Sequence, residues 1–486
     1  MQYKWVALSN TTIGTLMSSL DTNIVLIALP TIGRELPGTS LFDLVWTLLG
    51  YQLITASVLV NFGRLSDIFG RVRLYTLGFA IFTVGSALCS VSQSGTQLVL
   101  FRMVQAVGSA FLFSNSAAIL TDAFPLNERG KALGINQTSI VAGSVVGLVL
   151  GGILASSIGW RSIFWVNIPI GVFATAWSHY KLRELNRPPH RQKIDLLGNL
   201  TFAGGLSSIL VAITLNIITG LSAAATYGLL GLGCALLVVF FVVEERVEAP
   251  MLALSLFRIR AFAAGNLAIV LNSLARGAVT LVLVFYLQGP TMGLNAFTAG
   301  VFLIPTSASL AVFGPISGWL SDRYGARLLS TLGLVVSCCG FLLLTQLGET
   351  VTFPGLAAPL LLVGSGMGLF AAPNRASIMN SVPAEDRGIA SGISVTFVNL
   401  GSTLSLAVAF LVMAAVTPIK TLVSIFLGTS GPGTPSSDAG FIASIHLVFL
   451  LSTVFLLVAI LPSALRGRRA REVPVVVETE EGPAAP

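Results

Sequence analysis

Apolar runs about as long as a bilayer is thick recur from one end of this chain to the other, and no other feature constrains its fold as strongly. A helix of roughly 20 apolar residues crosses the hydrocarbon core. Such runs occupy 5–30, 44–62, 74–92, 97–122, 132–158, 163–180, 196–218, 224–243, 262–287, 298–320, 328–347, 354–382, 390–416 and 441–465, fourteen in all. Charged residues make up 10% of the 486, against about 25% in a soluble domain. Too little polar surface is left to cover a water-soluble globule. That excludes a cytosolic enzyme and specifies an all-α integral membrane protein whose surroundings are the lipid bilayer.

The net charge of +7 does not point to nucleic acid, because the basic residues lie in short loops between apolar runs. Their distribution predicts orientation. One set of loops and ends holds twenty-one Lys and Arg, among them Lys4, Arg64, Arg71, Arg73, Arg129 and Arg466. The opposite set holds Arg34, Arg161 and Lys420. This places both termini in the cytoplasm of a multi-pass cell-membrane protein. The first run is too long for a cleavable signal and contains Asp21. Cys89, Cys234, Cys338 and Cys339 lie in apolar stretches with no spacing suited to a disulfide framework or a zinc site, so no metal is expected. The external loop 417–440 is expected to be mobile, and the polar, acidic segment 471–486 to be a disordered cytoplasmic tail.

An internal repeat divides the chain. Gly63-Arg-Leu-Ser-Asp67-Ile-Phe-Gly70 recurs as Gly318-Trp-Leu-Ser-Asp322-Arg-Tyr-Gly325, at an offset of 255. Pro125–Ser144 matches Pro383–Ser402 at an offset of 258, with nine of twenty positions identical. Two matches in one order at nearly one offset imply two related six-helix halves, 1–190 and 251–470, with a helix pair inserted at 191–250. Parallel halves around a central cavity are a common plan for secondary transporters. No phosphate-binding G-x-x-x-x-G-K-[ST] loop is present, so an ion gradient, with no cofactor, is the expected energy source.

Several stretches resemble a known family. Gly63-Arg-Leu-Ser-Asp67-Ile-Phe-Gly70-Arg71-Val-Arg73 is similar to motif A of the major facilitator superfamily. Leu20-Asp21-Thr-Asn-Ile-Val-Leu-Ile-Ala28-Leu29-Pro30, Gly159-Trp160-Arg161-Ser-Ile-Phe-Trp-Val-Asn167-Ile-Pro169-Ile-Gly171 and Pro250-Met251-Leu-Ala-Leu-Ser-Leu-Phe257-Arg258 resemble its fourteen-helix drug:proton antiporter branch. The resemblance implies the major facilitator fold with fourteen transmembrane helices. It also implies export of small amphipathic drugs or metabolites by proton antiport and alternating access, by a monomer. The chain departs from the branch at Leu26, where Asn is usual. It departs again in the fifth run, Gly143-x-x-x-Gly147-Leu148-x-x-Gly151-Gly152, which lacks the antiporter Pro.

Asp21 is the sharpest residue-level signal, the one carboxylate read as lying centrally in a run. A charge there costs roughly 2.5–3.5 kcal/mol or more, and a carboxylate balanced between desolvation and a nearby cation is suited to carry a proton. Arg102, in Arg102-x-x-Gln105-x-x-Gly108, resembles the family's fourth-helix motif and lies at a compatible depth. Arg276 is expected to occupy in the second half the position of Asp21 in the first, and so to face it across the cavity. With Arg375 and Arg102 it makes three arginines within runs. That excess favours, as an alternative, export of an organic anion, lipid or specific metabolite. Gln105, Trp46, Tyr51 and Gln288 are assigned to the cavity wall by their branch positions. The loop Gly63, Asp67, Gly70 and Arg71, with Asp122 and the repeated Asp322, is assigned to a cytoplasmic gate in which Asp67 receives hydrogen bonds from a helix of the other half. Gly143, Gly147 and Gly151 lie on one helical face and permit close helix packing. An intramembrane transferase would need paired carboxylates for a metal–diphosphate at a membrane face. The acidic loops do not supply them.

Overall fold

The computed structural model describes residues 2–125, 128–185, 195–247, 250, 252–290, 292–383, 386–427 and 435–466. The tail 471–486 and the boundary expected at 190/191 lie outside the described residues. Every regular element among the described residues is helical. The helices are α1 (Tyr3–Glu35), α2 (Leu41–Phe69), α3 (Arg71–Ser90), α4 (Gly95–Ala123), α5 (Arg129–Ser157), α6 (Ser162–Trp165), α7 (Asn167–Lys181), α8 (Leu196–Thr219), α9 (Ala223–Glu244), α10 (Arg260–Arg276), α11 (Val279–Gln288), α12 (Ala296–Tyr324), α13 (Ala326–Leu344), α14 (Phe353–Asn380), α15 (Arg387–Val416), α16 (Ile419–Phe426) and α17 (Pro435–Leu465). A chain surrounded by hydrocarbon must satisfy its backbone within each segment, and helices do this.

Thirteen described segments are long and apolar enough to cross a membrane, α10 and α11 counting as one. The expected run at 163–180 differs from the rest. It is divided into α6 and α7 at Val166. Pro169 supplies no N–H and its ring crowds the carbonyl of Trp165, four residues back. A second interruption separates α10 from α11, where the Ala278 N–H donates to Ser405 Oγ of α15 at 2.9 Å.

Polar residues mark where helices begin. Ser40 and Asp43 form a reciprocal capping box on α2. Asp195, Ser222 and Asn295 cap α8, α9 and α12 through their side chains. Gly70 and Gly325 make the tight turns after α2 and α12 with φ of 104° and 86°, a region that glycine adopts without a Cβ penalty.

The two halves repeat in three dimensions. A Cβ on Gly143 of α5 would meet Leu16 O, Ser19 Cβ and Leu20 N of α1, and a Cβ on Gly401 of α15 would meet Val270 O, Ser273 Cβ and Leu274 N of α10. The inserted pair α8–α9 lies outside this repeat, with α8 against α2 and α15.

The halves meet at the end far from the termini. There Gly152 of α5 packs on Ala296 and Phe297 of α12, and Gly300 on Leu148. Gln288 Nε2 donates to Ile27 O at 2.9 Å. The segment 417–440, expected to be a mobile loop, supplies part of this seal. Its residues Ile419–Phe426 form α16, which buries Leu422, Ile425 and Phe426, and the Phe426 ring lies 3.8 Å from that of Phe285. A hydrophobic face on a short helix explains the order, since its burial removes apolar area from solvent. At the end bearing the termini Gly63, Gly130, Gly134 and Gly314 face open space.

Candidate functional site

Asp21 sits at the centre of a buried polar cluster assembled from five helices of the first half. Its side chain is fully buried, and that of Arg102 is 1% exposed. Arg102 Nη1 donates to Asp21 Oδ2 at 2.5 Å and to Gln105 Oε1 at 2.6 Å. Gln105 Nε2 donates to Asp21 Oδ1 at 2.9 Å, which closes a ring of the three side chains. Asn167 Nδ2, from the first turn of α7, donates to the same oxygen at 2.8 Å and to Ser86 Oγ of α3 at 3.3 Å. The Tyr51 ring of α2 lies 4.2 Å from the Arg102 guanidinium, a cation–π contact in a desolvated setting. Each charge is thus matched by a charge and by hydrogen bonds, the condition for burying an ion pair at all.

Local structure turns these groups inward. The α5 glycines expected as a packing ladder hold α1 in place. Gly143 lies against the carbonyl of Leu16, Gly147 against that of Leu20, and Gly151 against Ile24 and Ile27. The face of α1 opposite this seam carries Asp21 towards α4 and α7. The interruption at Val166 leaves Asn167 at the beginning of α7, where its amide reaches the carboxylate.

Among the described residues the second half has no such cluster at the corresponding place. The register set by Leu16/Val270 and Leu20/Leu274 places Ala275 opposite Asp21, and Ala275 is 1% exposed. The matching close contacts of Gly85 on Gln105 and Gly340 on Val363 place Val363 and Leu360 where Gln105 and Arg102 stand. This corrects the expectation for Arg276. It is the counterpart of Thr22, about 100° further round the helix at 3.6 residues per turn. The structure does not bring Arg276 and Asp21 together: Asp21 is occupied by Arg102, Gln105 and Asn167. Arg276 lies at the α10–α11 interruption, and its Nε is buried without a hydrogen-bond partner among the described residues.

The remaining expected residues fall in three places. Trp46 stacks on Phe42 at 5.5 Å and is buried in the α2 core. Gln288 belongs to the far-end seal and not to an open cavity wall, because it spends its amide on Ile27 O. At the end bearing the termini, Arg71 Nε donates to Asp67 Oδ1 and Arg71 Nη1 to Asp122 Oδ2, both at 2.8 Å. Asp67 therefore has its partner within the first half, where a helix N-terminus of the other half was expected. Gly63 faces open space and Gly70 forms the α2–α3 turn. Asp322 is in α12, and its side chain lies outside the described residues.

Sequence reasoning gave no role to Asn167 or Glu184. The Glu184 carboxylate accepts from the backbone N–H of Arg71 at 2.7 Å and of Val72 at 3.1 Å, at the start of α3. It also passed over Asp195 and Glu244, one residue outside the expected seventh and eighth runs. Among the described residues no three His, Cys, Asp or Glu cluster as metal ligands would.

Comparison with known proteins follows the same lines. The Major Facilitator Superfamily model matches residues 11–406 and 267–486. The riboflavin transporter RibZ of Clostridioides difficile is 34% identical over 413 residues, covering 84% of this chain and 88% of its own. The multidrug resistance protein Stp of Mycobacterium tuberculosis is 33% identical, covering 83% and 75%. A crystal structure of a bacterial homologue of the human lysosomal transporter Spinster, inward-facing and unoccupied, superposes with a TM-score of 0.68 at 17% identity, over 96% of this chain and 97% of that one.

Proposed function

The chain belongs to the Major Facilitator Superfamily and is a multi-pass membrane transporter, and from that premise we propose that it is a fourteen-helix exporter of small amphipathic compounds, driven by proton antiport with Asp21 as the carrier. The supporting observation is that the Asp21 cluster exists in one half only. The second half has buried polar contacts elsewhere, Arg466 with Asn374 and Ser394 with Asn266, but no carboxylate at the counterpart of Asp21. The second half packs the same seam with Ala275, Leu360 and Val363, and apolar packing is often as stable as a buried ion pair or more so.

In this proposal both termini are cytoplasmic, so the structure is open to the cytoplasm and closed outside. Ionised Asp21 ties α1 to α4 and α7 through three hydrogen bonds. A proton on the carboxyl removes its charge and makes one oxygen a donor. Arg102 then loses its counter-charge, a change worth about 3–5 kcal/mol when one member of a buried pair is removed. Ile27, whose carbonyl holds Gln288, lies about 9 Å further along α1 at 1.5 Å per residue. A shift of α1 is therefore felt directly at the outer seal.

The test is transport in proteoliposomes under an imposed pH gradient, with a panel of dyes, drugs and riboflavin. Asp21→Asn is expected to abolish gradient-driven transport while substrate binding persists, because Asn imitates protonated Asp. Wild-type coupled rates in this variant would refute the carrier role.

A second reading, export of an organic anion or a specific metabolite, draws support from Arg276 and Arg375. Neither takes part in an ion pair among the described residues, and RibZ is named for one metabolite. Arg276→Gln then abolishes transport of an anionic dye and spares a cationic one. Equal retention of both dyes would make Arg276 a structural residue.

A further inference from the structure

A second group of buried acids lies where the inserted pair meets the first half. Asp195, at the start of α8, and Glu244, at the end of α9, are each 3% exposed. Each has one oxygen engaged by a backbone N–H: Asp195 Oδ1 by Gly198 at 2.7 Å and Glu244 Oε2 by Leu252 at 2.8 Å. Because α8 and α9 pack side by side, the start of one and the end of the other lie together, and Asp195 is among the groups that act on the Glu244 carboxyl. Yet Asp195 Oδ2 and Glu244 Oε1 are both buried without a donor among the described residues, and so is the neighbouring Asn61 Oδ1 of α2. Asn61 is held there because its Nδ2 donates to Asp195 O at 3.3 Å, and Asn199 Nδ2 of α8 donates to Ser57 O of α2.

Ionised carboxylates only accept hydrogen bonds. Two of them facing each other in a dry site repel and leave their facing oxygens unsatisfied, whereas a single proton between them removes one charge and supplies the missing donor. Arg64 of α2 is the charged group that faces the pair from the first half. Its guanidinium donates to Pro250 O at 2.6 Å, burial lowers its pKa, and Glu244 and Asp195 act in the opposite sense. Among the described residues of the other helices packed here, α8 has no ionisable residue and α15 has only Arg387, at its first position.

We propose that Asp195 and Glu244 form a second proton-binding site, sharing one proton that fastens the inserted helix pair to α2 near the α2–α3 turn at Gly70. The site is separate from Asp21 and does not depend on the antiport reading. Loss of the proton leaves two like charges buried together and loosens α8–α9 from α2, so docking of the pair follows pH on the side of the membrane that holds the termini.

The experiment is infrared difference spectroscopy of the purified full chain in lipid nanodiscs, titrated from about pH 5 to about pH 9, a range set by how far a carboxyl in a shared dry site can be displaced. Wild type shows a protonated-carboxyl band that disappears as pH rises. Glu244→Gln and Asp195→Asn each remove that band completely, and the double variant removes nothing more. Asn still caps a helix, so Asp195→Asn tests the site even if Glu244→Gln fails to fold. Asp21→Asn keeps the band, which separates this outcome from failure of the carrier assignment. A band retained in both single variants, or no titrating band in wild type, overturns the proposal. So does a wild-type thermal stability that follows sodium concentration at constant pH without such a band, since the occupant is then a metal cation.

Discussion

At the scale of single residues, the fate of Asp21 is decided by neighbours far from it in sequence. Asp21 is conspicuous because a carboxylate in an apolar run needs a reason to be there. Arg102 is legible as its counterpart by charge and depth. Asn167 is not, because one amide in an apolar stretch carries no indication of its partner. Its contact spans 146 residues of chain and depends on the helix interruption before it. A hydrogen bond to a charged group contributes about 1.5–3 kcal/mol. Asn167→Leu withdraws one of the three donors on the Asp21 carboxylate, so it is expected to lower the melting temperature in detergent and the rate of gradient-driven transport while substrate binding is retained. An unchanged transport rate would restrict Asn167 to packing.

Among elements, the seam between α1 and α5 bears most directly on the site. Three glycines at a spacing of four residues were readable as a close-packing face, but which helix they meet was not. They meet the turn of α1 that precedes Asp21 and the turn that follows it. A Cβ on Gly147 would lie 2.6 Å from the Leu20 carbonyl oxygen, and backbone cannot yield as a side-chain tip can. Gly147→Ala is expected to cost about 1–3 kcal/mol by overpacking, to lower the melting temperature in detergent, and to impair proton coupling by turning Asp21 away from Arg102. Gly228 of α9 faces open space, and Gly228→Ala at this position should be neutral or stabilising, by up to about 1 kcal/mol of helix propensity. Equal melting temperatures for the two variants would remove the seam from the account. The corresponding seam of α10 and α15 shows why the offset counted along the sequence misplaced Arg276. The first helices correspond at one residue less than the turn motifs do, and one residue on a helix is a different face.

For the whole molecule, the two ends of the bundle differ, and the difference defines the state. The far end is closed by backbone-close contacts between halves, whereas Asp67, Arg71, Asp122 and Glu184 at the end bearing the termini find their partners within the first half. Gly152 is a lever on this balance. A Cβ there would lie 2.6 Å from Ala296 O of the other half, so Gly152→Val wedges the far end apart without touching the Asp21 cluster. Cysteine-accessibility labelling should then rise at the far end and fall at the end bearing the termini. Labelling unchanged at both ends would mean that this contact does not hold the halves together.

The division between sequence and tertiary structure follows from the range of the forces involved. Apolar length, turn glycines and the repeated segments act locally, and they were enough to read off a helical membrane protein with two related halves, an inserted pair and a carboxylate buried in the first helix. Contacts between helices depend on which face each presents, and a rotation of one residue changes that face by about 100°. Only the tertiary structure therefore decided that Asn167 completes the Asp21 cluster, that Ala275 and not Arg276 is its counterpart, that Gln288 and α16 seal the far end, and that Asp195 and Glu244 meet. Those acids stand at helix ends, where hydropathy draws no distinction between water and protein, and it is the packing of α8 against α2 and of α9 against α8 that takes them out of solvent.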